Sequence, residues 1–249
     1  MTQKIAITNQ KGGVGKTTTA LCLAAALKIK GKKSLLVDLD SQGNASAAAG
    51  LIIENNAKTL KDMLTQQGGL EEYIVRTNFM DIIPSNNSLK DIEPHLHKQR
   101  GFNLLKNSLK AGVADYDFVF FDCPPSINVF TKNALVAADA IIIPVDAGFF
   151  SLLGLKQLLE EIDRIKKTFN PKLALQGVLA CKFDRRTALS EQVFAILKQD
   201  FPDKLFNAVI RVNIDLVKAQ IAQKNIFEYN SKSKGAEDFL SLAEEIING

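Results

Sequence analysis

The fold turns on Lys4-Ile-Ala-Ile-Thr8 and, after Asn9 and Gln10, on Lys11-Gly-Gly-Val-Gly-Lys16-Thr17-Thr18. The first stretch is a short apolar strand, and Gly12–Gly15 is a glycine loop. Thr17–Lys30 carries Ala and Leu at helical spacing until Gly31 stops it. Glycines let backbone N–H groups wrap a phosphate closely, and the helix N-terminus behind them adds partial positive charge. In this pattern Lys16 reaches the β- and γ-phosphates and the Thr17 hydroxyl ligates Mg²⁺. The usual spacing GxxxxGK[ST] is not strictly met. Gln10 stands where its first glycine would be, and a second lysine, Lys11, opens the loop.

Outward from this unit the chain keeps alternating. Strands are expected at Ser34–Asp38, Asp81–Pro84, Phe118–Phe121, Ile141–Val145, Leu173–Ala180 and Leu205–Ile210. Short helices are expected at Leu60–Leu64, Leu70–Val75 and Phe102–Leu109, and longer ones at Ser190–Lys198 and Ala236–Ile247. Leu152–Phe169 places Leu155, Leu158, Leu159, Ile162 and Ile165 on one helical face. Near-continuous apolar strands separated by helices predict an α/β fold: a doubly wound, mostly parallel sheet covered on both faces. No composition break divides the chain, so residues 1–249 are expected to form a single domain. In such sheets the ligand lies beyond the carboxyl ends of the strands. The glycine loop, Asp38, Asp40, Asp122 and Asp146 all follow strands and are expected to converge there.

Two further stretches carry chemistry. Asp122-Cys-Pro-Pro-Ser126 closes the strand Phe118–Phe121, and a carboxylate there can hold the water shell of Mg²⁺. Asp38-Leu-Asp40-Ser-Gln-Gly-Asn44 sets two carboxylates and two amides after a strand facing the phosphates. One of them can orient the attacking water, and Asp40 is better placed than strand-end Asp38. Cys181-Lys182-Phe183-Asp184 echoes the guanine-reading NKxD box but lacks its asparagine.

Composition narrows the class. The chain has 249 residues, 46% hydrophobic and 23% charged, as soluble globular proteins do. No apolar stretch approaches the ~20 residues that span a bilayer; Ala140–Val145 is of buried-strand length. Met1–Thr8 is too short for a signal peptide, so a cytoplasmic protein is expected. Cys22, Cys123 and Cys181 are isolated, which supports neither disulfides nor structural zinc. His95 and His97 have no cysteine near them and read as part of a solvated helix or loop over Glu93–Arg100. The net charge is only +4, but Lys182–Lys234 holds ten Lys/Arg against six Asp/Glu, a balance compatible with touching nucleic acid.

Together, Lys11-Gly-Gly-Val-Gly-Lys16-Thr-Thr18, Asp38–Asn44, Asp122–Ser126 and Ser233-Lys-Gly-Ala-Glu-Asp238 resemble the ParA/Soj partition ATPases, deviant-Walker P-loop proteins of the superfamily that includes MinD. The likeness covers nearly the whole chain, in the short form without an N-terminal helix-turn-helix. It implies an ATPase that uses ATP and Mg²⁺, dimerises on ATP, binds double-stranded DNA without sequence preference and answers to a ParB-like centromere-binding protein. It implies a nucleotide site of Lys11, Gly12, Gly13, Val14, Gly15, Lys16, Thr17, Thr18 and Asn213, the last on the adenine side, with Thr17 and Asp122 toward the metal. The catalytic residues would be Lys11, reaching the partner's phosphates, with Lys16 and Asp40. A DNA surface would hold Arg186, Arg185, Lys182, Arg211 and Lys218. Arg211 stands where the family has proline, Asp215 where it has arginine, and Lys218 where it has glutamate. Two rivals fit the same loop. A MinD-like membrane-cycling ATPase needs a basic C-terminal helix, whereas Glu237–Gly249 is acidic without a lysine. A metabolic P-loop enzyme such as an amido-ligase would ignore DNA. The likeness places the protein on the nucleoid and off the membrane.

Overall fold

The computed structural model describes residues 1–54, 57–66, 68–98, 101–110 and 112–249, the side chains of 149–153 excepted. Its strands are β1 (Gln3–Ile7), β2 (Ser34–Asp38), β3 (Val75–Arg76), β4 (Asp81–Ile83), β5 (Phe118–Asp122), β6 (Ala140–Asp146), β7 (Ala174–Phe183) and β8 (Ile210–Arg211). They form one sheet in the order β3-β4-β2-β5-β1-β6-β7-β8, parallel throughout except for the antiparallel pair β3–β4. This is the expected doubly wound fold.

Strand alternation feeds two cores. Ile5, Ile7, Leu36, Phe120 and Ile142 point to one face, beneath α1 (Lys16–Ile29). On the same face α2 (Asn44–Ala48) sends Ala45 and Ala48 into that core. Ala6, Leu35, Val37, Val119, Phe121 and Ile143 point to the other. That second face is covered by α3 (Leu60–Thr65), α4 (Glu93–Lys98), α5 (Leu104–Ser108), α6 (Val129–Ala137), α7 (Phe149–Thr168) and α8 (Ala188–Asp200). The chain then returns to the first face with α9 (Ile214–Ile221), α10 (Ile226–Asn230) and α11 (Lys234–Asn248). The apolar side of α11, with Phe239, Leu242, Ala243 and Ile246, is buried in the core that α1 shares. Burying a side chain of this size contributes about 1.5–3 kcal/mol, so this face is committed to the core.

Two expectations are corrected. Leu70–Val75 is not one helix: Leu70–Tyr73 makes a single 3-10 turn, and Val75 enters β3 opposite Ile82. Leu205–Ile210 is not a continuous strand: Leu205 makes a single parallel bridge to Val178 of β7, and the chain rejoins the sheet as Ile210–Arg211. The Asn207 and Ala208 N–H groups donate to the Glu245 carboxylate at 2.9 and 3.0 Å, leaving the ladder. The Phe206 ring fills the space over Gly177, where an added Cβ would stand 2.4 Å from it. His95 and His97 are exposed on α4, and residues 99–100 of that segment lie outside the described residues.

Candidate nucleotide site

The strand-end rim carries a cavity of about 720 Å³ that runs from Gly12 and Lys16 past Asp40 to Lys182, Asn213 and Phe239. Gly13 and Gly15 hold φ of 76° and 102°, left-handed values that a side chain rarely adopts. Gly15 is the N-cap of α1, where no side chain caps the helix and no acid sits in the first turn. The orphan N–H groups and positive dipole end therefore remain available to an anion.

Lys16 is buried, and its Nζ donates to the Lys11 carbonyl at 2.9 Å. Burial lowers its pKa, opposed first by the Asp122 charge and also by Cys123 and Asp40. Asp122, at the end of β5, is fully buried, and neither carboxylate oxygen makes a well-formed hydrogen bond. Burial raises its pKa well above the carboxylate range and the Asp38 charge adds to this; the Thr17 hydroxyl and Lys16 pull the other way. A buried acceptor pair without donors is costly. Beside a hydroxyl and an ammonium, it fits a hydrated divalent cation, whose charge would invert the local pKa order.

The two acids after β2 differ in their partners. Asp38 is fully buried and accepts from Ser46 N at 2.9 Å, Ser46 Oγ at 2.7 Å and Asp40 N at 3.1 Å. Burial pushes its pKa up to about 6 against those bonds. Ser46 Oγ in turn accepts from Ser85 N at 3.0 Å, which ties the loop to the end of β4. Asp38 is thus spent on structure. Asp40 is half-buried, lines the cavity and uses Oδ1 to accept the Gln42 N–H at 2.9 Å. Its Oδ2 makes no hydrogen bond of this kind that would turn it from the cavity.

The remaining expected residues separate into groups. Lys11 Nζ bridges both oxygens of Asp146, the last residue of β6, at 2.9 and 3.0 Å. Thr18 Oγ1 accepts from Gln220 Nε2 at 2.6 Å, linking α9 to the loop. Asn213 lines the cavity and caps α9, accepting Asp215 N at 2.7 Å. Lys182 is exposed at the cavity, with φ of 52° where β7 shifts register against β8. Arg211 is clamped: Nε donates to Asp238 at 2.8 Å, and its terminal nitrogen reaches Glu237 and the Lys234 carbonyl. Arg186 forks back onto Asp184 at 2.9 and 2.8 Å. Arg185 and Lys218 are exposed. Sequence reasoning missed Ser46, Gln220 and the Arg211–Asp238 clamp. A helix after Asn213 was legible, since Asn-Ile-Asp opens with a capping residue followed by an acid.

Among the described residues no helix is long and apolar enough to cross a membrane, and no cluster of His, Cys, Asp and Glu gathers as a metal site. A family model described as an AAA domain matches residues 2–175. The chromosome partitioning protein ParA of Caulobacter vibrioides is 40% identical over 250 residues, covering 98% of this chain and 93% of that protein. The sporulation initiation inhibitor protein Soj of Bacillus subtilis is 40% identical over 245 residues, 97% of each. Among solved structures, the cobyrinic acid a,c-diamide synthase of Mycobacterium smegmatis with bound ADP and magnesium superposes with a TM-score of 0.87. It is 31% identical, covering 100% of this chain and 95% of that one.

Proposed function

We propose that this chain, which belongs to the ParA/Soj family of partition ATPases, cleaves the β–γ bond of ATP with water as a nucleotide-dependent dimer that positions DNA. The observation that carries the reading is the orphaned Asp122 carboxylate beside Lys16 and Thr17, under an uncapped helix N-terminus. Thr17 and Asp122 would hold Mg²⁺, which when bound neutralises developing charge on the phosphates. Gly12, Gly13, Val14 and Gly15 would wrap the phosphates with backbone N–H groups, Lys16 would pair with them, and Thr18 and Asn213 would continue the site toward the base. Asp40, the acid that Asp38 leaves free, would orient the attacking water.

The rest follows from geometry that favours a face-to-face pair. Val212, Ile214, Val217 and Ile221 are exposed near the cavity, an apolar row that a second subunit would cover. Lys11 would then serve the partner's phosphates. DNA contact would fall to Arg185, Arg186, Lys182, Arg211 and Lys218, and a ParB-like protein would stimulate turnover. One continuous sheet supports reading 1–249 as one domain; the family likeness would place it in the cytoplasm on the nucleoid.

The test mixes two variants. Asp40→Ala should bind ATP, dimerise and retain DNA without releasing phosphate; Lys11→Ala should bind ATP without dimerising. Mixed, they should regain part of the hydrolysis, because one site then has both groups. DNA retention should fall steeply with salt, by a slope of roughly −0.9 in log K per phosphate contact. Turnover on a small carboxylic acid with no response to DNA would favour the amido-ligase reading. Pelleting with anionic vesicles would favour the membrane-cycling one.

A further inference from the structure

Both lysines of the phosphate loop are engaged within the subunit. Lys16 Nζ donates to the Lys11 carbonyl at 2.9 Å, and Lys11 Nζ spans the two oxygens of Asp146 at 2.9 and 3.0 Å. The junction is braced from both strands. Asn9 Nδ2 donates to the Pro144 carbonyl at 2.7 Å, Asn9 Oδ1 accepts the Lys11 N–H at 3.0 Å, and Asp146 Oδ1 accepts the Gly148 N–H at 3.2 Å. The side chains keep 33% and 17% of their exposure, so the pair sits at the rim, where opening it requires no unfolding.

Resting on the reading of Lys11 as the cation given to a partner's phosphates, we propose that Asp146 is a positioning residue that latches Lys11 onto its own subunit until a triphosphate-loaded partner arrives. An ammonium held across both oxygens of Asp146 is turned inward. Reaching across an interface takes it off that carboxylate, so each subunit must open its pair when the dimer forms. An assembly that uses only the opened form is weakened by the fraction of time the latch is open. Two latches open per dimer, so the factor enters twice. A threefold bias per subunit, modest for a partly exposed charge-assisted pair, becomes about tenfold in the dimer midpoint.

The experiment is light scattering with Mg²⁺ and ATP across protein concentration, on wild type, Asp146→Asn, Lys11→Ala and the double variant. Asparagine keeps Oδ1 for the Gly148 N–H, removes the charge and replaces Oδ2, the second acceptor of Lys11 Nζ, by a donor. Asp146→Asn is expected to dimerise at about tenfold lower concentration, and the double variant should gain nothing over Lys11→Ala. A midpoint for Asp146→Asn equal to or above wild type overturns the latch. A wild type that never dimerises with ATP instead defeats the reading beneath it. A second measurement needs no variant. Amine-directed labelling of the nucleotide-free wild type, read peptide by peptide, should modify Lys11 about threefold more slowly than exposed Lys182, since only one latch is read there. Equal rates would also overturn the proposal.

Discussion

At the end of β5, Asp122 is sealed from solvent with neither oxygen hydrogen-bonded, whereas beyond β7 Asp184 answers Arg186 through two hydrogen bonds in open solvent. Arg211 is matched even more fully, by Asp238, Glu237 and a carbonyl. At the phosphate-loop rim the Asp122 carboxylate is left short of donors while Lys11 and Lys16 are engaged, and in the late segment Arg186 and Arg211 are matched by carboxylates. A pocket that must seize a ligand keeps unspent hydrogen-bonding capacity at some cost to stability.

The largest effect should come from removing the cation on the underpaired side. Lys16→Ala is expected to weaken ATP binding by at least about a hundredfold, since charge-assisted hydrogen bonds contribute about 1.5–3 kcal/mol each. Titration calorimetry reads this directly. Affinity within threefold of wild type would erase the distinction between the two regions.

A smaller, sharper contrast sets two acids against each other. Asp238→Ala should lose about 1–3 kcal/mol of stability, because it strips a nearly buried clamp from Arg211 and the end of β8. Asp122→Asn should match or exceed the wild-type melting temperature while losing Mg²⁺-dependent turnover, because it relieves the cost of burying a carboxyl group that Thr17 and Lys16 offset only in part. Thermal melts of both, without nucleotide, decide it. A destabilised Asp122→Asn would mean that this carboxylate is structural.

The smallest effect is in pH, and its sign differs between the regions. Burial raises Asp38 from 3.8 to about 6, so its contribution is full below the unfolded value and is lost as pH rises through about 6. Arg186 holds Asp184 down at about 2, so its contribution is present above 3.8 and is lost as pH falls through about 2. Melting curves should therefore show Asp38→Asn gaining on wild type from pH 4 to 7. Asp184→Asn should close on wild type from pH 4 to 2. Asp122 and Asp40 are charged neighbours of Asp38 and broaden its window.

What could be read from the sequence was local. The glycine loop, the apolar runs of β1, β2, β5 and β6, and the acids at their ends are signalled by neighbours in the chain. That Asp38 and Asp40 both follow a strand was legible, but the Ser46 contacts that occupy Asp38 were not, because they form only when the chain folds back over it. Lys11 and Asp146 are 135 residues apart, and Arg211 and Asp238 are 27 apart. Such pairs leave no periodicity to detect. Leu205–Ile210 failed for the same reason: its β-compatible residues were overruled by a carboxylate on α11 and by a ring seated over Gly177.

The ends of the sheet have a consequence for how copies of the chain meet. β3 and β8, its outermost strands, are each two residues long, and each closes on an arginine, Arg76 and Arg211. An open parallel sheet invites another chain to extend it, and short borders bearing charge are how proteins discourage such accretion. Copies of this chain are thus offered little border along which one sheet could extend another.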